Sequence, residues 1–345
     1  MGTGLIGGSI GLGLRAAGWH VTGRDLDGAA ASRALALGAI DAVGTDPAAE
    51  VTFVATPVGS IVEEVRVALE GTSGLVTDVG SVKGPMVPLM ADPRYVGGHP
   101  MAGSELEGVD GARADLFEGA TWVLTPVEGT DDAAFATIRS VIVSLGAEVV
   151  SVPPERHDEM VAVVSHVPHL TAATLMRLAA GRAVEQRALL RLAAGGFRDM
   201  TRIAAGHPGI WPDICRENRH AIVAELDRLV DALREVRTMV ATDDRAALEA
   251  ALEEARAARS ALPARFGRPD ELVEIRVPIP DRKGELARIF TLATDLDVSV
   301  ADVEIAHSAE SRQGVLILLV EAALGERLCD GLARQGYRAS RHPLP

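Results

Sequence analysis

Three glycines near the start of the chain have the spacing that lets backbone approach a pyrophosphate. Gly2-Thr3-Gly4-Leu5-Ile6-Gly7 is a G-x-G-x-x-G; Ile10–Ala17 continues it as a helix, Gly18 stops that helix, and Trp19–Gly23 reads as a strand ending at Arg24-Asp25. Asp25 follows Gly2 by 25 − 2 = 23 residues, close to the offset of about 20 at which an acid meets a ribose. The glycines permit a tight turn, and the helix N-terminus offers free N–H groups and a positive dipole end to phosphate. A carboxylate at Asp25 accepts from both ribose hydroxyls and repels a 2′-phosphate, so the expected cofactor is NAD in preference to NADP. Arg24 works the other way, since a guanidinium can hold that phosphate. The cofactor set is Gly2, Gly4, Leu5, Ile6, Gly7 and Asp25, with Thr56 and Pro57 just past the apolar run Val51–Ala55.

Three further segments concentrate polar groups without a packing reason. Asp78-Val79-Gly80-Ser81-Val82-Lys83 stands at a strand end, the edge that faces the ligand crevice in an open α/β sheet. Gly97-Gly98-His99-Pro100-Met101-Ala102-Gly103-Ser104-Glu105 follows a short β-type run. Ser165-His166-Val167-Pro168-His169 reads as opening a helix, and Gly196-Phe197-Arg198-Asp199-Met200-Thr201-Arg202 comes further on.

These residues need elements to hold them. Apolar runs at Val51–Ala55, Leu75–Val79, Trp122–Thr125 and Ala147–Val152 alternate with Ala- and Leu-rich helical stretches. That alternation predicts a parallel sheet with helices on both faces over residues 1–152, a Rossmann-type dinucleotide-binding domain. From Pro153 to about residue 265 apolar residues recur at helical spacing, as at Leu226, Leu229, Val230, Leu233 and Val236, which predicts an all-α domain. After a Pro-bounded linker at Pro263–Pro269, residues 270–345 read βαββαβ, a ferredoxin-like unit. The expected strands are Leu272–Val277, Val298–Ala306, Gly314–Glu321 and one near Tyr337–Ser340; the helices are Gly284–Leu296 and Gly325–Gln335.

Composition narrows the function. The 345 residues carry 34 Lys+Arg against 48 Asp+Glu, a net charge of −14, which argues against nucleic-acid and anionic-membrane surfaces. The two cysteines, Cys215 and Cys329, make no disulfide framework and show no metal-ligand spacing. No apolar run approaches the roughly 20 residues of a membrane span. The expectation is a soluble, cytoplasmic protein acting on a small molecule.

Taken together and in order, GTGLIGGSIG, Asp25, DVGSVK, GGHPMAGSE, SHVPH and GGFRDMTRIA…IWPDICREN resemble the prephenate/arogenate dehydrogenase family of tyrosine biosynthesis over about residues 1–240. The C-terminal VPIPDRKGELARIFTLATDLDVSVADVEI looks like an ACT regulatory domain. The resemblance implies NAD-dependent oxidation of prephenate with loss of its ring carboxylate, giving 4-hydroxyphenylpyruvate. It places the catalytic histidine at His99, where a neutral imidazole is a good proton acceptor near pH 7. Ser81 would bond the same hydroxyl or the nicotinamide side, and would also serve as the N-cap of a helix starting near Val82. Arg202 suits a bidentate clamp on a carboxylate. Ser165 and His169, four apart and so on one helical face, line the pocket by resemblance. Ser104 and Glu105 complete the substrate set, and Glu105 and Asp199 are candidates for orienting His99 and Arg202. Aromatisation drives the decarboxylation without a Lewis acid, so no metal is expected despite His157, His166 and His169. A homodimer is expected, with tyrosine as an effector at the ACT-like domain near Pro280–Glu285, against a domain that only stabilises the dimer.

The residues leave alternatives open. Arogenate differs from prephenate only by an amino group in place of the keto oxygen. A β-hydroxyacid dehydrogenase would want a catalytic lysine on a long helix, where this chain offers His and Ser. A non-catalytic, amino-acid-sensing dimer is the reading of another class. Its support is that Met1 directly precedes Gly2, so the strand before the fingerprint is missing. The expectation is that Met1 lies inside the natural reading frame.

Overall fold

The fingerprint glycines open α1 (Leu5–Ala16), and the chain then alternates short strands with helices: β1 (Thr22–Gly23), α2 (Gly28–Ala36), β2 (Ala42–Val43), β3 (Val51–Val54), α3 (Ile61–Gly71), β4 (Leu75–Asp78), β5 (Tyr95–Pro100), β6 (Thr121–Thr125), α4 (Asp132–Ser144) and β7 (Glu148–Ser151). In this computed structural model the described residues are 1–104, 106–183, 192–261, 272–280, 282–307 and 313–343. They group into two compact units, one of Met1–Ala179 with Thr201–Asp231, the other of Ala180–Met200 with Ala232–Pro345. The expected linker at Pro263–Pro269 lies outside the described residues.

Local chemistry starts the helices of the first unit. The Asp27 carboxylate accepts from Ala29 N–H at 2.8 Å, and the Asp131 carboxylate from Ala134 N–H at 2.8 Å, each meeting an orphan amide. The main sheet runs β3-β4-β5-β6-β7. Its apolar layers hold Phe117, Trp122, Leu124, Ile138 and Ile142 in one cluster and Val54, Ile61, Val65 and Val76 in another.

The sheet is mixed rather than all-parallel as expected. β6 pairs antiparallel with β5, in the register His99–Val123. Among its described residues the connection between them holds the short 3-10 turn Val109–Gly111 and no crossover helix, and a parallel neighbour needs such a crossover.

The strand expected at Trp19–Gly23 shrinks to Thr22–Gly23, paired with Ala42–Val43. Met1 and Gly2 lie between this pair and β3: Ala55 N–H donates to Met1 O at 2.7 Å and Gly2 N–H to Arg24 O at 2.8 Å. Beside them lies a cavity of about 380 Å³ whose lining includes Trp19–Arg24, Glu50–Phe53, Ile10, Leu14 and Val141.

Past β7, the chain forms α5 (Pro154–Val161), a π-helical turn at Ala162–His166, α6 (Val167–Ala183), α7 (Gly195–Thr201), α8 (Trp211–Glu217), α9 (Arg219–Ala241) and α10 (Arg245–Ser260). Among described residues, no helix is long and apolar enough to cross a membrane.

Two local expectations are corrected. Ser165–His169 does not open a helix but sits inside one that starts at Pro154. Pro168 cannot donate to the carbonyl four residues back, and the wide turn, in which Val167 N–H bonds Ala162 O, absorbs an extra residue there. Nor does a helix start near Val82. Residues 79–86 are irregular, with a first 3-10 turn only at Val87–Met90, because Lys83 is drawn inward and Gly84 and Pro85 break the pattern.

In the second unit, β8 (Leu272–Pro280), α11 (Glu285–Asp295), β9 (Val300–His307), β10 (Gln313–Glu321), α12 (Ala322–Arg334) and β11 (Ser340–Pro343) follow the expected element order. The sheet order is β11-β8-β10-β9 and every pairing is antiparallel. Ile275, Val277, Leu316 and Leu318 from the sheet pack with Ile289, Leu328 and Leu332 from the helices.

Candidate active site

The fingerprint residues make a cradle that needs glycine. Gly2 has φ +84°, and a Cβ there would lie 2.4 Å from Ala55 O; at Gly7 a Cβ would lie 1.9 Å from Gly2 O. Gly4 is the N-cap of α1 and supplies no side-chain cap, so the first-turn amides of Leu5, Ile6 and Gly7 remain donors without helical partners. Beside them the Thr56 hydroxyl is buried without a partner, while Pro57 is exposed. Free donors at a helix N-terminus and an orphaned hydroxyl fit a dinucleotide pyrophosphate.

Asp25 lies across this turn. One carboxylate oxygen accepts from Thr3 N–H at 2.7 Å and from the Thr3 hydroxyl at 3.1 Å, and the other accepts from Asp27 N–H at 3.0 Å. Arg24 is turned away from a phosphate-binding role: its guanidinium pairs with Glu64 on α3, both side chains being mostly buried, at 27% and 15% exposure. Glu64 thus neutralises the cation that would favour NADP. Glu64→Gln is expected to raise the NADP:NAD ratio of kcat/KM on the order of tenfold, worth about 1.4 kcal/mol. Steady-state rates with both dinucleotides check it, and an unchanged ratio would mean that Asp25 alone sets the preference.

The loop carrying Ser81 is held by a buried ion pair. Asp78 and Lys83, both fully buried, pair directly. The Asp78 carboxylate also accepts from Gly80 N–H at 2.8 Å, from the Tyr95 hydroxyl at 2.7 Å and from Gly98 N–H at 3.1 Å. Burial, then the Asp78 charge, holds the Tyr95 hydroxyl well above its ordinary range. This cluster ties the end of β4 to β5, which carries His99.

His99 stands one residue from the end of β5 and is half-buried. Its Nδ1 lies 2.8 Å from His157 Nε2, and His157 Nδ1 lies 2.8 Å from Asp158 Oδ1. Burial, followed by His157, Lys83 and His166, keeps His99 well below the ordinary imidazole range. His99 is therefore neutral near pH 7, the form a proton acceptor needs.

The π-helical turn sets which faces meet. An α-helix turns about 100° per residue, so His157 and His169 would stand about 120° apart. One extra residue in the wide turn brings them within about 20° of each other. His166 Nδ1 accepts from Asn218 Nδ2 at 3.1 Å, and the same amide nitrogen also donates to Asp158 O at 2.9 Å. Burial lowers His166 to about 4. His169 stacks on Trp211, with ring centroids 3.7 Å apart and 14° between planes, and burial lowers it too.

The remaining expected residues are placed as follows. Ser81 and Ser165 are half-buried, Ser165 within the wide turn. Arg202 opens the exposed 3-10 turn Arg202–Ala205; a side chain at Gly206, just beyond it, would come within 3.6 Å of the His169 ring. Ser104 is exposed, its hydroxyl accepting from Leu106 N–H at 3.1 Å. Asp199 is exposed on α7, in the second unit. Glu105 lies outside the described residues. Asp158 and Glu64 carry no role in the sequence pattern, Trp211 and Asn218 stand there only within the IWPDICREN motif, and His157 enters only as a neighbour of possible metal ligands. The adjacent titratable pair His157-Asp158 was the available signal, but its partner His99 lies 58 residues away.

With this geometry established, comparison places the chain among known proteins. The nucleotide-binding-domain model of prephenate dehydrogenase matches residues 10–166, and the model of its dimerization domain matches residues 153–254. A prephenate dehydrogenase of Bacillus subtilis is 35% identical over 336 residues, covering 91% of this chain and 89% of that protein. The solved prephenate dehydrogenase of Aquifex aeolicus, in complex with hydroxyphenyl propionate and NAD+, superposes with a TM-score of 0.71 at 30% identity, covering 76% of this chain and 96% of that one. Synechocystis arogenate dehydrogenase gives a TM-score of 0.65 at 31% identity, over 75% and 96% of the two chains.

Proposed function

The chain belongs to the prephenate dehydrogenase family, and on that premise we infer that it oxidises prephenate with NAD, releasing the ring carboxylate as CO2 and leaving 4-hydroxyphenylpyruvate. The observation that carries this reading is His99: a neutral imidazole, partly accessible, one residue from the end of β5. NAD, when bound, accepts a hydride from the carbinol carbon. Leu5, Ile6 and Gly7 hold its pyrophosphate and Asp25 its ribose.

His99 takes the proton of the ring hydroxyl, and the electron pair of that O–H bond becomes part of the new carbonyl. Loss of CO2 returns an electron pair to this oxygen and makes the ring aromatic. The phenol oxygen then recovers a proton from His99, so the histidine ends as it began. Ser81 bonds the reacting hydroxyl, Arg202 clamps a substrate carboxylate, and Ser165, His169 and Ser104 line the pocket. Support for these roles is the family pattern together with the placement of His169 beside the 202–206 turn.

Likeness to both a prephenate and an arogenate dehydrogenase keeps arogenate as the second substrate. One absorbance assay tests the reading, with prephenate or arogenate against NAD or NADP. Reduced nicotinamide and 4-hydroxyphenylpyruvate from prephenate and NAD is the expected result; tyrosine from arogenate alone would favour the second substrate, and no turnover of either would defeat the reading. The chain works as a homodimer through its dimerization domain, where Met160, Val163 and Val164 are exposed. A cytoplasmic location is the reading that its acidic charge and its family support. The C-terminal unit is read as ferredoxin-like and ACT-type, with Gly284 at φ +86° opening α11 where an amino-acid effector such as tyrosine would approach.

A further inference from the structure

His99 is the outer member of a line of three groups whose inner two are closed off from water. His157 is 1% exposed and Asp158 5%. The two imidazoles meet edge to face, with centroids 5.0 Å apart and 74° between planes. Asp158 decides which way protons point along the line. Its Oδ1 accepts from Lys83 N–H at 2.8 Å and its Oδ2 from Gly84 N–H at 2.7 Å. A carboxylate engaged by two backbone donors is an acceptor, so the proton between it and His157 belongs to His157 Nδ1. With a single ring proton on His157, its Nε2 is bare and able only to accept. The proton on the 2.8 Å contact between the rings therefore belongs to His99 Nδ1.

We propose that His157 and Asp158 are positioning residues that hold His99 as its Nδ1–H tautomer, so that Nε2 is the lone pair presented to the substrate hydroxyl. Resting on the reading of His99 as proton acceptor, it adds that Asp158 offsets the positive charge His99 gains, relayed through His157. The same logic orders a carboxylate, a histidine and a reacting group in serine hydrolases. The charged and titratable groups facing His99 are His157, Lys83, which is paired with Asp78, and His166. None of these supplies a negative charge directly, so the Asp158 carboxylate behind His157 provides it.

The first test needs no variant. In protein labelled with 15N-histidine, the His99 ring at pH 7 is expected to show a protonated Nδ1 and a bare Nε2. A protonated Nε2 would overturn the proposal. The second test is kinetic. His157→Leu removes the acceptor and is expected to lower kcat by about 10²–10⁴-fold with the KM for prephenate and NAD within about threefold. His157→Gln, whose side-chain oxygen still accepts from Nδ1–H, is expected to restore most of that loss. Full kcat in His157→Leu while His99→Asn is inactive would sink this proposal alone. Full kcat in His99→Asn would sink the reading it rests on.

Discussion

His99→Asn should lower kcat by about 10²–10⁴-fold while leaving the KM for prephenate and for NAD within about threefold. Proton acceptance matters only as charge develops in the transition state, so its loss falls on kcat. Asparagine keeps a polar group of similar size on β5, and the Asp78 cluster that braces this strand is untouched. The pH profile gives a second check. The acceptor works in its neutral form, so activity falls as pH drops through the pKa of His99. Burial, His157, Lys83 and His166 all push that value down. The acid limb of kcat is thus expected well below the ordinary imidazole pKa of about 6.5, and His99→Asn should flatten it. A variant with kcat within about threefold of the parent would remove His99 from the mechanism, whatever the profile.

Lys83→Met should be the most destabilising single change near the site. It removes one partner of an ion pair in which both side chains are fully buried. The Asp78 carboxylate then keeps the Tyr95 hydroxyl and the Gly80 and Gly98 amides but no counter-charge. Breaking a buried pair in this way costs about 3–5 kcal/mol. Removing both charges, as in Asp78→Asn with Lys83→Met, should recover part of it, because a buried charge without its partner is worse than none. Denaturant unfolding of the single and double variants checks this. Equal midpoints for Lys83→Met and the parent would show that the three neutral donors satisfy Asp78 unaided.

Activity should fall with Lys83→Met for a separate reason. The pair shapes residues 79–84, which carry Ser81 and present Lys83 N–H and Gly84 N–H to Asp158. Loosening that loop loosens the support behind His99. The loss should be partly rescued at low temperature, whereas the loss in His99→Asn should not.

Patterns that depend on near neighbours were legible in the chain itself. The glycine spacing of residues 2–7 dictates a helix N-terminus that backbone alone can build, and the structure adds only what a Cβ would strike. The element order of residues 272–343 follows from alternation and helical periodicity over short windows, so strands and helices fell within a few residues of expectation. The offset of Asp25 from Gly2 is local in the same way, while His99 and Ser81 are proposed as site residues from the family resemblance of their motifs.

Tertiary structure alone decided the rest, and each case turns on groups distant in sequence. The antiparallel direction of β6 depends on what its connection lacks, not on the strand itself. Whether Arg24 favours a 2′-phosphate depends on Glu64, 40 residues away. The wide turn at Ala162–His166 rotates His169 toward the face of His157, and a one-residue change in winding leaves no periodic trace over so short a stretch. His157 and Asp158 reach His99 across 58 residues; composition and spacing show the titratable groups, but only packing, which excludes water and fixes their mutual distance, turns them into a line that holds one proton in one place.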